Sequence, residues 1–270
     1  AAPYMIKRNP LSYAQSATIL GRQMGEDRIV ARGEAFAFAP FVEALPNQEV
    51  SALPFTKDEV EGIAQYYREE VVSGRAATKD TLLIKAPDFK ILHLSTHAFA
   101  AAADTVSAQI LTGTDPVYLA DLFGLHLSAE LVTLSACQSN IGPLAQGEGV
   151  LGFGRAFTAA GAGGVVASLW SLNDRSTMEV LTSFYDKLAA GTTKPMALHE
   201  AQLAYLNRTD IPGYLKSPYY WAGLTYYGNA GTLPARRFPV WVWGVLIASL
   251  LLSLYVLSRI LLRAKAKSAA

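Results

Sequence analysis

The chain of 270 residues carries 23 Lys and Arg against 22 Asp and Glu, a net charge of +1. That balance, with no basic stripe interleaved with aromatics upstream of residue 236, argues against nucleic-acid binding, and a single cysteine excludes an internal disulfide or a multi-cysteine metal site. Only 17% of residues are charged and the mean hydropathy is +0.22, so an apolar segment raises the average of a chain long enough for one large core or two small ones.

In chain order, residues 1–30 are mixed, with short apolar runs at Tyr4-Met-Ile and Thr18-Ile-Leu. The chain opens on Ala1 without an initiator Met or a signal-peptide pattern, as expected of a processed end or the start of a fragment. Ala35 to Leu53 is rich in Pro, Ala and Phe without a helical period and reads as a loop. Thr56, with Glu59 three residues on, has the form of a capping box, and Val60, Ile63, Ala64 and Tyr67 recur at helical spacing. Gly74 is the expected stop of that helix, and Thr81-Leu-Leu-Ile starts either a short strand or a second helix.

Phe89-Lys-Ile-Leu-His-Leu-Ser-Thr-His97 reads as a buried strand ending in polar residues. An Ala-rich stretch and the turn Thr112-Gly-Thr-Asp-Pro116 suggest a loop with a small hairpin, and Tyr118-Leu-Ala-Asp-Leu-Phe a short helix. Leu131-Val-Thr-Leu-Ser is the next strand, leading to Cys137. A helix is expected from about Glu148 to Ala160, stopped by Gly161-Ala-Gly-Gly164, then a strand at Val165-Val-Ala-Ser-Leu-Trp170. Asp174 or Ser176 caps a helix that ends at Gly191. Another helix spans about Pro195 to Leu206, and Tyr219-Tyr-Trp-Ala-Gly-Leu-Thr-Tyr-Tyr leads into a last strand. Strands alternating with helices predict an α/β fold with a mostly parallel, doubly covered sheet.

The apolar excess lies at residues 238–258, which carry no charged side chain. As a helix this stretch spans about 31 Å, the thickness of a bilayer core. Trp241, Trp243 and Tyr255 sit near its ends, as interfacial aromatics do. Arg236 and Arg237 precede it, and Arg259, Arg263, Lys265 and Lys267 follow. The excess on the C-terminal side predicts a single-pass protein with a cytoplasmic C-terminus and the main domain outside the cytoplasm.

The strands ending at His97 and Cys137 each close on a residue capable of chemistry. In a parallel sheet both ends lie at the edge where α/β proteins place their sites. A cysteine there is either a buried core thiol or a nucleophile whose proton an imidazole takes. In the second case the backbone amides of Cys137 and of the His97–Ala98 region would face a developing oxyanion.

Taken together, His93-x-x-Thr96-His97, Leu134-Ser-Ala-Cys137-Gln, Gly147-Glu-Gly-Val, Arg155-Ala-Phe, Val166-Ala-Ser-Leu-Trp170, Asp174, Phe184-Tyr, Ala201-Gln and Pro218-Tyr-Tyr-Trp221 resemble a CHAT domain. This caspase- and separase-like module is often found behind tetratricopeptide repeats in bacteria. The resemblance covers residues 4–231, including a weaker early motif at Leu53-Pro…Glu59-Val. It implies a caspase-like α/β/α sandwich and a cysteine endopeptidase with a His–Cys dyad, His97 as base and Cys137 as nucleophile, 137 − 97 = 40 residues apart. It implies no cofactor, a protein substrate, and a regulatory repeat domain or partner chain. The family usually places Gly after the catalytic His, where its amide helps form the oxyanion hole; here that residue is Ala98.

In caspase-like folds the segment after the Ser168 strand lines the pocket for the residue before the scissile bond. Asp174 there either selects a basic side chain or caps the following helix. His93 shares a face with His97 by alternation and reads as a satisfied core histidine. Glu148 reads as a loop anchor at a helix N-terminus, and Trp221 as core packing. The expected organisation is a CHAT domain over 1–231, a linker over 232–237, a transmembrane helix over 238–258 that engages the lipid bilayer, and a basic tail over 259–270. The leading expectation is a membrane-anchored caspase-like endopeptidase; the alternative is a catalytically inactive scaffold or adaptor of the same fold.

Overall fold

The computed structural model describes residues 4–25, 30–46, 50–99, 108–136, 144–145, 149–150 and 152–233, together with Ser249 and Ser253. After α1 (Ala17–Gly25) come β1 (Gly33–Ala39), α2 (Thr56–Ala64), β2 (Glu69–Ser73), α3 (Lys79–Lys85) and β3 (Phe89–Ser95). Three two-residue strands follow, β4 (Ala98–Phe99), β5 (Gln109–Ile110) and β6 (Val117–Tyr118), which pair as a small antiparallel sheet, and then α4 (Leu119–Phe123). The chain continues through β7 (Leu131–Ser135), a ribbon of β8 (Leu144–Ala145) and β9 (Gly149–Val150), α5 (Phe153–Ala159) and β10 (Gly164–Ser168). It closes with α6 (Asp174–Ala189), α7 (Lys194–Leu206), α8 (Pro218–Trp221) and β11 (Leu224–Gly228).

The main sheet has six strands in the order β2-β1-β3-β7-β10-β11, all parallel except β11. Alternation along each strand sends neighbours to opposite faces. Phe36, Phe38, Leu92, Leu94, Val132 and Leu134 pack on one face with Leu82 of α3, Leu122 of α4 and Phe153 and Phe157 of α5. Ala35, Ile91, Leu131 and Val166 pack on the other with Ile63 of α2, Val180, Leu181 and Phe184 of α6 and Leu198 of α7. The result is the expected α/β/α sandwich with a mostly parallel sheet. Burial of each such Leu or Phe contributes roughly 1.5–3 kcal/mol, so both faces are stabilised by packing. Tyr13 exchanges backbone hydrogen bonds with Tyr226 and Gly228, covering the outer edge of β11.

Several local expectations are corrected. Residues 35–39 of the expected loop belong to β1, because Ala-Phe-Ala-Phe-Ala is buried on both faces and so shows no polar alternation. Helix α2 ends at Ala64 and β2 intervenes before Gly74. Thr56 is not a capping residue: Phe55 holds the N-cap position with no side-chain bond, and Thr56 is the first helical residue. Of the two readings of Thr81-Leu-Leu-Ile the helix holds: Thr81 belongs to α3, capped by the Thr78 hydroxyl accepting from Thr81 N. Helix α5 begins at Phe153 rather than near Glu148, which lies outside the described residues. Asn173, neither Asp174 nor Ser176, caps α6, its side chain accepting from Ser176 N. Gly191 ends that helix as expected, at φ 95°, a conformation open to glycine.

The chain divides into two compact units, Ala1–Ala235 and Arg236–Ala270, and every element above belongs to the first. Among the described residues no helix is long and apolar enough to cross a membrane. The stretch 238–258 lies outside the described residues except for Ser249 and Ser253, both helical, with the Ser253 hydroxyl donating to the Ser249 carbonyl.

Candidate active site

Strands β3 and β7 are parallel neighbours in the register His93↔Thr133 and Ser95↔Ser135. Their carboxyl ends therefore finish side by side, and Thr96 N donates to the Ser135 carbonyl at 3.2 Å just beyond them. His97 follows β3 by two residues. Cys137 follows β7 by the same count and lies outside the described residues, which stop at the buried Ala136, whose carbonyl accepts the Ser168 hydroxyl at 2.6 Å.

The His97 ring is half-buried and packs edge-on to Phe41, with centroids 5.1 Å apart. Its Nε2 lies 2.8 Å from the carbonyl oxygen of Ser51. A carbonyl only accepts, so the proton sits on Nε2, leaving Nδ1 as the nitrogen that can take a proton from a thiol. The loop carrying Ser51 is itself held by Leu53 N donating to the Phe41 carbonyl at 2.8 Å. An orienting group for the histidine is thus present, and it is a backbone atom.

Ala98 opens β4 and is buried. Extended backbone accepts alanine as readily as glycine, so this position imposes no strain. Leu111 N donates to the His97 carbonyl, which makes Ala98 and Ile110 a non-hydrogen-bonded pair of the antiparallel ladder. In that arrangement the Ala98 amide does not donate to β5.

Asp174 is half-buried at the first position of α6, and its Oδ2 accepts from Phe55 N at 3.2 Å. Burial raises its pKa, opposed by the Phe55 hydrogen bond; the charge of Glu59 raises it further and that of His97 lowers it. The carboxyl is therefore within electrostatic reach of His97 and tethered to the segment that also orients His97.

Beneath the strand ends lies a closed circuit of buried polar groups. Glu59 of α2 is fully buried; its Oε1 accepts the Ser135 hydroxyl at 3.0 Å, and its Oε2 is 3.1 Å from His93 Nε2. His93 Nδ1 is 3.2 Å from the Tyr185 oxygen, and the Tyr185 hydroxyl donates to Thr133 Oγ1 at 2.8 Å. Burial holds the Tyr185 phenol well above its usual range, so it remains a donor. Thr56 Oγ1 joins Ser95 Oγ at 2.8 Å alongside. His93 is the satisfied core histidine expected from its pattern, and Trp221 is core, its indole N–H donating to the Lys216 carbonyl at 3.1 Å. Among the described residues no three His, Cys, Asp or Glu side chains converge as a metal site.

A mostly parallel sheet with an imidazole just beyond the carboxyl end of one central strand, next to the strand that leads in sequence to Cys137, defines an α/β protein whose candidate site lies at the sheet edge where such folds place theirs. The family model of the CHAT domain matches residues 2–229, and the chain belongs to that family. Its fold is also that of gingipain R, an Arg specific cysteine proteinase, at TM-score 0.54 and 14% identity, covering 80% of this chain and 52% of that one. The separase of the Saccharomyces cerevisiae separase–securin complex matches at TM-score 0.56 and 11% identity, over 82% of this chain and 14% of that one. Tetratricopeptide repeat protein 28 of Mus musculus is 33% identical over 110 residues, which is 41% of this chain and 4% of the mouse protein. The chain thus spans only part of each of these relatives.

Proposed function

We propose that the chain is a cysteine endopeptidase, anchored to a membrane, that cleaves a protein partner with His97 as base and Cys137 as nucleophile. The observation that supports this most is the His97 Nε2–Ser51 carbonyl bond just beyond β3, because it leaves Nδ1 as the proton acceptor at the end of the strand that neighbours β7, the strand leading to Cys137. In the reaction, Nδ1 takes the thiol proton and the thiolate sulfur bonds to the scissile carbonyl carbon. The developing oxyanion is received by the backbone amides of Ala98 and Cys137. The imidazolium then returns its proton to the leaving amine as the peptide bond breaks, and water, deprotonated by the same nitrogen, releases the acyl group as a carboxylic acid.

Asp174 is proposed as the pocket acid that selects a basic side chain, a role in keeping with the Arg specificity in the name of gingipain R. Residues 1–231 form the catalytic domain, 232–237 a linker, 238–258 a membrane helix and 259–270 a basic cytoplasmic tail. A repeat domain or partner chain regulates the site; the separase neighbour was solved with securin, and the mouse relative is named for its repeats. The test is mass spectrometry of new protein N-termini after co-expression of the full chain with proteins encoded beside it. Wild type generates specific new termini and Cys137→Ala generates none; persistence of those termini in the variant contradicts the assignment.

A further inference from the structure

The segment 51–59 is bonded to His97, to Asp174 and to three of the polar side chains beneath the strand ends. The Ser51 carbonyl holds His97, Phe55 N holds Asp174, Thr56 holds Ser95, and Glu59 holds both His93 and Ser135. The last of these contacts is the unusual one. A carboxylate with a fully buried side chain is costly to keep in a core, and an apolar residue of similar volume serves stability as well or better. Yet this one lies between two adjacent strands, bonded to His93, four residues before His97, and to Ser135, two residues before Cys137.

Resting on the thiol–imidazole reading above, we infer that Glu59 is a positioning residue: its carboxyl group ties α2 to the carboxyl ends of β3 and β7, the strands that lead to His97 and Cys137, and holds those ends in register. Among the described residues Oε1 bonds to Ser135 on β7 and Oε2 to His93 on β3, so neither strand end shifts along its axis without breaking a hydrogen bond to the same carboxyl group. The far side of His93 is fixed as well. The Tyr185 proton goes to Thr133, so the Tyr185 oxygen accepts from His93 Nδ1–H. One proton then lies between His93 Nε2 and Glu59 Oε2, and Thr133, Tyr185, His93, Glu59 and Ser135 form a loop that begins and ends on β7. Every member is satisfied, the condition under which a buried polar network rigidifies its surroundings.

The test reads the thiol itself, so it needs no substrate. The alkylation rate of Cys137 by iodoacetamide is measured against pH in the full chain, with folding checked by near-ultraviolet circular dichroism. In wild type the rate midpoint lies below the ordinary thiol value of about 8.5, because an imidazolium stands beside the thiolate. Glu59→Ala releases both strand ends; the midpoint rises toward about 8.5, and the rate at neutral pH falls on the order of 10-fold, bounded by the roughly 3% of thiolate that a thiol of pKa about 8.5 retains at pH 7. Glu59→Gln rescues it, since the amide oxygen accepts from Ser135 and the amide N–H donates to His93 Nε2. If Glu59→Ala does not fold, Ser135→Ala removes the β7 strut alone and shifts the midpoint in the same direction by less. A wild-type midpoint in a folded Glu59→Ala, or in Ser135→Ala where the first variant cannot be used, overturns the inference. A wild-type chain whose own midpoint is about 8.5 overturns the dyad reading first, and the positioning role with it.

Discussion

The two faces of the central sheet are built from the same strands and do different things. On the face covered by α3, α4 and α5, the inward residues of β3 and β7 are Leu92, Leu94, Val132 and Leu134, an apolar set. On the face covered by α2, α6 and α7, the apolar Ile91 and Leu131 at the strand starts give way to His93, Ser95, Thr133 and Ser135, all four buried and hydrogen-bonded. The first face contributes cohesion without direction. The second fixes positions, because hydrogen bonds restrict geometry in a way that dispersion does not. The polar set is concentrated toward the carboxyl ends of β3 and β7, directly beneath the residues proposed for chemistry.

The comparison breaks if truncation on the apolar face disturbs the site as much as truncation on the polar face. Phe157 of α5 is buried against the apolar set. Phe157→Ala should cost about 3–5 kcal/mol through lost transfer energy and the cavity left behind, seen as a lower midpoint in urea unfolding. The Cys137 alkylation profile of the folded protein should stay as in wild type; a shifted profile would show that the apolar face also sets site geometry.

A smaller effect sharpens the contrast. Glu69 of β2 lies beside Ala35 on the polar face, and its Oε2 is buried without a hydrogen-bond partner among the described residues. Burial raises its pKa from the ordinary 4.5 to about 7. Between those values the unfolded chain has released the proton while the folded chain retains it, so stability falls as pH rises and the full penalty is present above pH 7. Glu69→Gln should raise the melting temperature above pH 7 and leave it nearly unchanged below pH 4.5, as read by calorimetry across pH. An unchanged pH slope in the variant would remove Glu69 from the account.

The parallel sheet and the meeting of the two strand ends were legible because β3, β7 and β10 are short β-branched and aliphatic runs separated by helical patterns. Strand β1 was not, since five small or aromatic residues buried on both faces carry no period that distinguishes them from an apolar loop. Glu59 stands at capping-box spacing from Thr56, but spacing does not say which way a side chain turns; tertiary contact draws it inward to His93 and Ser135. The Ser51 carbonyl had no signal at all, because any residue supplies a carbonyl and only the fold decides which one meets His97. The position of Asp174 in the sequence fits either a capping or a pocket residue, and the capping role belongs to Asn173.

The central claim is that His97 activates Cys137. Its most direct test is labelling of the native full chain with a peptidyl acyloxymethyl ketone ending in arginine, mapped by mass spectrometry, in wild type and in His97→Ala. The account predicts labelling at Cys137 in wild type well above a denatured control, and a return to the control level in His97→Ala. Equal labelling of wild type and His97→Ala, or wild-type labelling no higher than the denatured control, would contradict it and leave an inactive scaffold as the reading of this fold.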